Sequence, residues 1–179
     1  AFDTETDSLD FTQANLVGLS VATDEDNAYY IPVGHDYEGA PKQLDRDEVL
    51  KKLKPIIEKT PLIGQHLKFD RNVLANYDIH LNAIENDTML MSYVYDPTAT
   101  RHNLDAMASH YLNVKTTTFE DVAGKGVKQL TFNQIPLEKA SDYAAEDADI
   151  TFRCYSHLKP ALAKTPSLEK VLHEIELPL

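Results

Sequence analysis

Short apolar runs separated by polar turns fill the first third of the chain, and apolar residues recur at helical spacing through the rest. Leu16-Val17-Gly18-Leu19-Ser20-Val21-Ala22 and Ala28-Tyr29-Tyr30-Ile31-Pro32-Val33 are rich in branched and aromatic residues and predict strands. The polar turn Thr23-Asp24-Glu25-Asp26-Asn27 between them predicts an antiparallel meander. Asp47 to Lys59 places Val49, Leu50, Leu53, Ile56 and Ile57 at helical spacing, and Pro61 to Gln65 then reads as a short buried strand, so this helix is a crossover feeding a sheet. From Phe69 onward the helical period dominates. It predicts helices over Phe69 to Tyr77, Asp87 to Tyr95, Asn103 to Leu112 and Phe119 to Ala123, a long one from Leu137 to about Lys164, and a last one from Ser167 to Ile175. Strands first and helices after predict an α/β fold with a central mixed sheet flanked by helices. There is no internal repeat, low-complexity tract or long linker.

Composition narrows the class. A chain of 179 residues suits one domain, residues 1–179, with a proper core. Its 42% hydrophobic and 26% charged residues are ordinary for a folded protein and argue against disorder. No apolar run approaches the roughly 20 residues that span a bilayer, and nothing reads as a secretion signal, so no membrane partner is expected. The single cysteine, Cys154, suits a reducing, cytoplasmic compartment. The net charge of −12 argues against a protein that grips duplex DNA mainly through its backbone. It leaves room for nucleic acid at a site where divalent cations need local negative charge. The start at Ala1 and the stop at Leu179 read as the ends of a piece excised from a longer protein.

Candidate chemistry begins with Asp3 and Glu5, two residues apart in an extended run, whose carboxylates strand geometry sends to one face. Two acids on one face call for a cation or for water. On the long predicted helix, Tyr143 and Asp147 are four apart and project from one face, so they can serve one site. The apolar stripe of that helix is Ala140, Ala144, Ala148, Phe152 and Tyr155, whereas Asp142, Glu146, Asp149 and Arg153 fall on a solvated face with Asp149 and Arg153 paired. Asp70, just after a predicted strand, reads by itself as an acid answering a helix N-terminus. The loop Gly124-Lys125-Gly126-Val127-Lys128 is basic, but a lone Gly-Lys-Gly is a weak phosphate signal. The seven histidines are scattered, with no Cys/His cluster for structural zinc.

Together these residues carry a resemblance. The segments Phe2-Asp3-Thr4-Glu5-Thr6-Asp7-Ser8-Leu9, Gly64-Gln65-His66-Leu67-Lys68-Phe69-Asp70, Leu130-Thr131-Phe132-Asn133-Gln134 and Tyr143-Ala144-Ala145-Glu146-Asp147-Ala148-Asp149 resemble the three exonuclease motifs and an intervening segment of the 3′–5′ proofreading domains of bacterial DNA polymerase I. Those domains belong to the DEDD exonucleases, in the variant with tyrosine in the third motif. The likeness covers the whole chain, including Asp87-Thr88-Met89-Leu90 and Thr118-Phe119-Glu120-Asp121.

The resemblance implies a ribonuclease H-like fold and a 3′–5′ exodeoxyribonuclease of the bacterial cytoplasm, monomeric, with a polymerase domain C-terminal to it in the parent chain. It implies two divalent ions, Mg²⁺ or Mn²⁺ with Zn²⁺ as an in-vitro substitute, and as substrate a single-stranded or frayed 3′ end of DNA. Asp3 is expected to bridge both ions, Glu5 and Asp147 to complete the site that activates water, Asp70 to hold the second ion largely through water, and Tyr143 to orient the attacking water. Thr4, Leu9, Gln65, His66, Phe69, Phe119 and Arg101 are the implied substrate contacts, with Leu9 and Phe119 as an apolar wedge at the 3′ end. One position departs from the pattern: His66 stands where the family usually has asparagine, which alters the donor and acceptor offered to the terminal nucleotide. The competing readings are an RNase D-like exoribonuclease with the same carboxylates, a degenerate scaffold module of a polymerase, and an acidic interaction domain that explains the charge alone.

Overall fold

The computed structural model describes residues 1–179. Strands β1 (Phe2–Thr6), β2 (Leu16–Asp24) and β3 (Asn27–Pro32) form an antiparallel meander with β2 in the middle. β2 is buried without a break from Leu16 to Ser20, and this is why its sequence is a continuous apolar run rather than an alternation. β1 does alternate: Phe2 and Thr4 are buried, while Asp3 and Glu5 keep part of their surface on the other face.

Helix α1 (Arg46–Ile57) opens on Asp45, whose carboxylate accepts from the Glu48 amide at 3.0 Å, and crosses over to β4 (Leu62–Gly64). β4 pairs in parallel with β5 (Ile84–Asp87) and lies along the free edge of β1. Gly64 permits that approach, because a Cβ there would stand 3.0 Å from the Phe2 carbonyl oxygen and overlap the Leu67 side chain. The expected central mixed sheet is thus present as two adjoining pieces, an antiparallel one of three strands and a parallel one of two, with no ladder between β1 and β4. β5 itself was not expected. Ile84-Glu85-Asn86-Asp87 has one apolar residue in four, and the helix predicted from Asp87 begins at Thr88 instead, with Asp87 ending the strand and capping the helix.

The remaining helices are α2 (Leu67–Ala75), α3 (Thr88–Tyr95), α4 (Leu104–Met107), which runs on through a wider turn at Ala108–Leu112, α5 (Phe119–Ala123), α6 (Leu137–Leu162) and α7 (Pro166–Val171). α2 starts two residues before the predicted Phe69. α6 organises the molecule. Its first half presents Ala140, Ala144 and Ala148, small residues that let the helix lie close on β2 and β3, and its second half turns Cys154, Leu158 and Leu162 against α3. Phe152, expected on the buried stripe, is only half-buried. A second cluster, with Leu16, Leu19, Leu50, Leu67 and Leu74, fills the space between the meander, α1 and α2. Each such fully buried leucine stabilises the fold by about 1.5–3 kcal/mol.

Candidate active site

β1, α2 and α6 bring their acids to one place. The strand period puts Asp3 and Glu5 on one face of β1, and the helical period puts Tyr143 and Asp147 on one face of α6; all four line a cleft of about 650 Å³. Asp70, 2% exposed, arrives from the first turns of α2, which follows directly on β4 beside the edge of β1. There its Oδ1 accepts from the Thr4 amide at 2.9 Å and from Thr4 Oγ1 at 2.5 Å. Thr4, expected as a substrate contact, therefore spends its hydroxyl on holding Asp70.

The electrostatics of the site are those of like charges crowded together. Burial pushes the Asp3 carboxyl well above the usual carboxylate range, and the charges of Asp70, Glu5 and Asp147 add to it. Glu5 is raised by burial, then by Asp147 and Asp70. Burial takes Asp70 up to about 7 against the hydrogen bonds from Thr4, and takes Asp147 up to about 7 against the Tyr143 hydroxyl beside it. Burial and the charges of Asp147 and Glu5 push the Tyr143 phenol above its ordinary value, so it is a firm proton donor. No lysine or arginine is paired with any of the four acids, since the ion pairs of the molecule all lie elsewhere.

That set fits a hard divalent cation. Glu5 Oε1 is buried without a hydrogen-bond partner, and the donors are oxygens throughout, which suits Mg²⁺ or Mn²⁺ rather than a thiolate or imidazole site for zinc. No three acidic, histidine or cysteine side chains stand at chelating distance of a shared point. Mg²⁺ does not require such a cage, because it keeps several of its waters and binds through one or two carboxylates plus substrate phosphate.

The other expected residues divide. Leu9 is 94% exposed on the cleft rim, Phe69 lines the wall, and Phe119 lines it too with its ring edge-on to Tyr143 at 6.2 Å between centroids. Core packing is thereby excluded for Leu9. Gln65 and His66 do not line the cleft: Gln65 Nε2 donates to the His102 carbonyl at 2.9 Å and its Oε1 accepts from Thr88 Oγ1, while His66 is exposed at the left-handed position, φ 62°, that precedes α2. Arg101 lines a second groove with Thr98, Asn103 and Asp105. The Gly124 loop places Gln129, Leu130 and Thr131 on the cleft wall, while Lys125 is paired with Glu120 at 2.6 Å. Glu146 and Asp149, expected on a solvated face, tether neighbouring segments: Glu146 accepts from the Thr117 amide at 2.7 Å and Asp149 from the Asp26 amide at 2.9 Å. Asp149 and Arg153 do pair, at 3.5 Å.

Three supporting residues escaped the sequence. Asp87, 2% exposed, accepts from the His66 and Leu67 amides at 3.1 and 2.7 Å and from the Met89 and Leu90 amides at 3.0 and 3.3 Å, tying the N-termini of α2 and α3 together. Asp105 adds its charge to Asp147 while accepting from Thr116 Oγ1 at 2.6 Å. Phe132 packs on Tyr143, centroids 6.1 Å apart. The only sequence signal for the first and last was their place in segments of the resemblance.

Two adjoining sheets wrapped by helices, with acids from β1 and α6 lining one cleft and Asp70 of α2 buried against Thr4 beside it, define a ribonuclease H-like α/β domain of the exonuclease class. Residues 1–163 match the 3′–5′ exonuclease family, and the chain belongs to it. It is 55% identical over its full length to DNA polymerase I of Pseudomonas aeruginosa, of which it covers 20%, and 37% identical to that of Rhizobium leguminosarum, of which it covers 19%. The chain thus spans about a fifth of the length of these relatives. Among solved structures, the POL domain of Pol1 from M. smegmatis, in complex with DNA primer-template and dNTP, shares the fold at a TM-score of 0.68 and 20% identity, covering 99% of this chain and 26% of that one. Brucella melitensis NrnC does so at a TM-score of 0.65 and 21% identity, covering 96% and 78%.

Proposed function

We propose that this 3′–5′ exonuclease removes nucleotides from single-stranded or frayed 3′ ends of DNA by two-metal-ion hydrolysis, and that it edits mismatched ends as one domain of a longer, cytoplasmic polymerase chain. The observation that supports this most is the gathering of Asp3, Glu5, Asp70 and Asp147 beside Tyr143 with no basic side chain among them. Asp3 and Glu5 would hold one ion, with Asp147 reaching it through a retained water, and Asp70, largely through water, would hold the other with Asp3. When bound, the ions neutralise charge on the phosphate and acidify water.

The protein's own groups position the rest. The Tyr143 phenol, kept protonated, donates to the attacking water oxygen and fixes its approach to phosphorus. The attacking water gives up a proton to solvent as its oxygen bonds to phosphorus and the bond to the 3′-oxygen breaks, and that oxygen takes a proton from solvent as it leaves. Leu9 and Phe119 would wedge against the terminal base, where stacking contributes about 1–3 kcal/mol without regard to sequence. A mispaired end unpairs at lower cost and so reaches the cleft more often.

The test is incubation with 5′-labelled single-stranded DNA in Mg²⁺ and in EDTA, beside Asp3→Ala and beside RNA of the same sequence. Products shortened from the 3′ end, seen only with metal and intact Asp3, and faster on DNA, are expected. The RNA arm matters because Brucella melitensis NrnC, which shares the fold, has been solved bound to pGG; preference for RNA would favour an exoribonuclease.

A further inference from the structure

The ring of Tyr143 is braced from outside its own helix. Its neighbours one turn away on α6 are Lys139 and Ala140 on one side and Glu146 and Asp147 on the other. Ala140 is too short to brace a ring, and Glu146 is engaged with the Thr117 amide. Two aromatic rings from other segments meet it instead. Phe119 of α5 stands edge-on at 6.2 Å between centroids, and Phe132 lies tilted by 52° at 6.1 Å. Phe119 is half-buried on the cleft wall, whereas Phe132 is 2% exposed and packs in the core with Ala140 and Ala144.

Phe132 is fixed in turn from behind. It opens a short turn, Phe132–Gln134, that Asp36 stitches in place: the Asp36 amide donates to the Asn133 carbonyl at 3.1 Å, and its carboxylate accepts from Asn133 Nδ2 at 2.8 Å and from Gln134 Nε2. Hydrogen bonds to a charged acceptor are the stronger kind. Asp36 follows His35, whose amide and carbonyl are both bonded to the Gln43 side chain, at 2.8 and 2.7 Å. The Phe132 ring also meets those of His35 and Tyr30, with centroids 5.8 and 6.3 Å away. Direct contacts thus run from the exposed Asp36 through Phe132 to the Tyr143 ring.

We propose that Phe132, anchored by Asp36, is a positioning residue for Tyr143: its ring sets the tilt of the Tyr143 ring and so the direction in which the phenol meets the attacking water. This rests on the water-orienting role given to Tyr143 above. A misplacement of about 1 Å can cost a factor of about 100 in rate, and here the loss is bounded by that of removing the hydroxyl itself.

Phe132→Leu keeps an apolar core side chain and removes the ring. The assay is kcat and KM on 5′-labelled single-stranded DNA, with Mn²⁺ affinity by calorimetry, for the wild type, Phe132→Leu, Tyr143→Phe and the double variant. Phe132→Leu should lower kcat about fivefold to tenfold with KM and Mn²⁺ affinity within about twofold, and should lower it less than about twofold further when added to Tyr143→Phe. Loosened packing alone would not depend on the Tyr143 hydroxyl in this way. Asp36→Ala, which frees the turn from the surface, should lower kcat about threefold with the same dependence, and is judged by the same outcomes should Phe132→Leu not fold. A wild-type kcat in Phe132→Leu, or an equal loss in both backgrounds, overturns the positioning role. A wild-type kcat in Tyr143→Phe overturns instead the reading of Tyr143 on which it depends.

Discussion

Raising the pH from about 5 to about 8 in EDTA will destabilise this domain, and Mg²⁺ will reverse the loss. The Asp70 and Asp147 carboxyls are held at about 7 in the fold, against an ordinary 3.8, and Asp3 and Glu5 are raised as well. A carboxyl raised by folding keeps its proton at a pH where the unfolded chain has already lost it. Its contribution is therefore intact below about pH 4 and is lost as the pH climbs through the folded value. One group displaced by about three pH units costs about 4 kcal/mol once ionised, of which about 2.7 kcal/mol is lost between pH 5 and the folded value near 7. Asp3, Glu5 and Asp147 keep a face on the cleft, where water and counter-ions screen them, so the loss for the whole site is set at about that of one fully felt group. In a chain of this length the part lost between pH 5 and 8 corresponds to about 5–11 °C in Tm.

Two other sets of titrations bear on that window. Asp10, Asp78, Glu85, Asp96 and Asp121, whose pKa values the fold lowers, have finished contributing by about pH 5. His35 and the Ala1 amino group work in the opposite sense, because burial lowers both and makes stability rise with pH up to about 6.5 and about 8, but they are two groups against the four acids. Thermal melts followed by circular dichroism across the window, in EDTA and in saturating Mg²⁺, provide the assay. Asp70→Asn and Asp147→Asn should each flatten the EDTA profile. A Tm in EDTA that is level or rising between about pH 5 and 8, or a Mg²⁺ increment of equal size at both ends, would refute the reasoning.

Three further outcomes are expected. Tyr143→Phe should lower the exonuclease rate by roughly tenfold to a hundredfold, the worth of one hydrogen bond to a charged centre, with Mg²⁺ affinity by calorimetry within about twofold; equal loss of both would count against water orientation. His66→Asn should leave Tm in place, since the left-handed backbone at φ 62° suits asparagine, and should alter KM for DNA more than kcat; an unchanged KM and pH profile would take His66 out of the substrate's path. Gly64→Ala should cost about 1–3 kcal/mol in urea unfolding, because its Cβ meets the Leu67 side chain and the Phe2 carbonyl; wild-type stability would mean that β4 can move away from β1 freely.

Periodicity made the first-order layout readable. A period of two sufficed to place Asp3 and Glu5 together, a period of four to place Tyr143 with Asp147, and the continuous run of β2 to mark the middle of the sheet. The misreadings occur where polar residues are buried by partners distant in sequence. β5 was invisible because it carries two buried polar residues, Asn86 and Asp87, and Asp87 is buried for the amides it accepts from on both sides of the chain, from 66 to 90, rather than for hydrophobicity. Glu146 and Asp149 looked like solvated acids on a helix because the amides they accept belong to Thr117 and Asp26. Thr4 lines the cleft as expected, but nothing local reveals its second task, since Asp70, 66 residues away, takes both its amide and its hydroxyl.

The charge of the domain and the shape of its cleft suggest how an editor can avoid consuming good ends. A net charge of −12 repels a phosphate backbone, and the basic loop beside the cleft has Lys125 spent on Glu120, so the protein surface offers little electrostatic grip of its own. On the proposed reading, attraction is confined to the ions held among the carboxylates and to contact between the terminal base and Leu9 and Phe119. Both act only on a nucleotide already drawn into the cleft. Leu9, 94% exposed on the rim, has no partner to give up before meeting a base, whereas a paired terminus must first give up its own stack and hydrogen bonds. Weak general binding with strong terminal capture makes the cost of fraying the quantity that decides which ends are cut. A more basic surface would hold paired and unpaired ends alike and erase that difference.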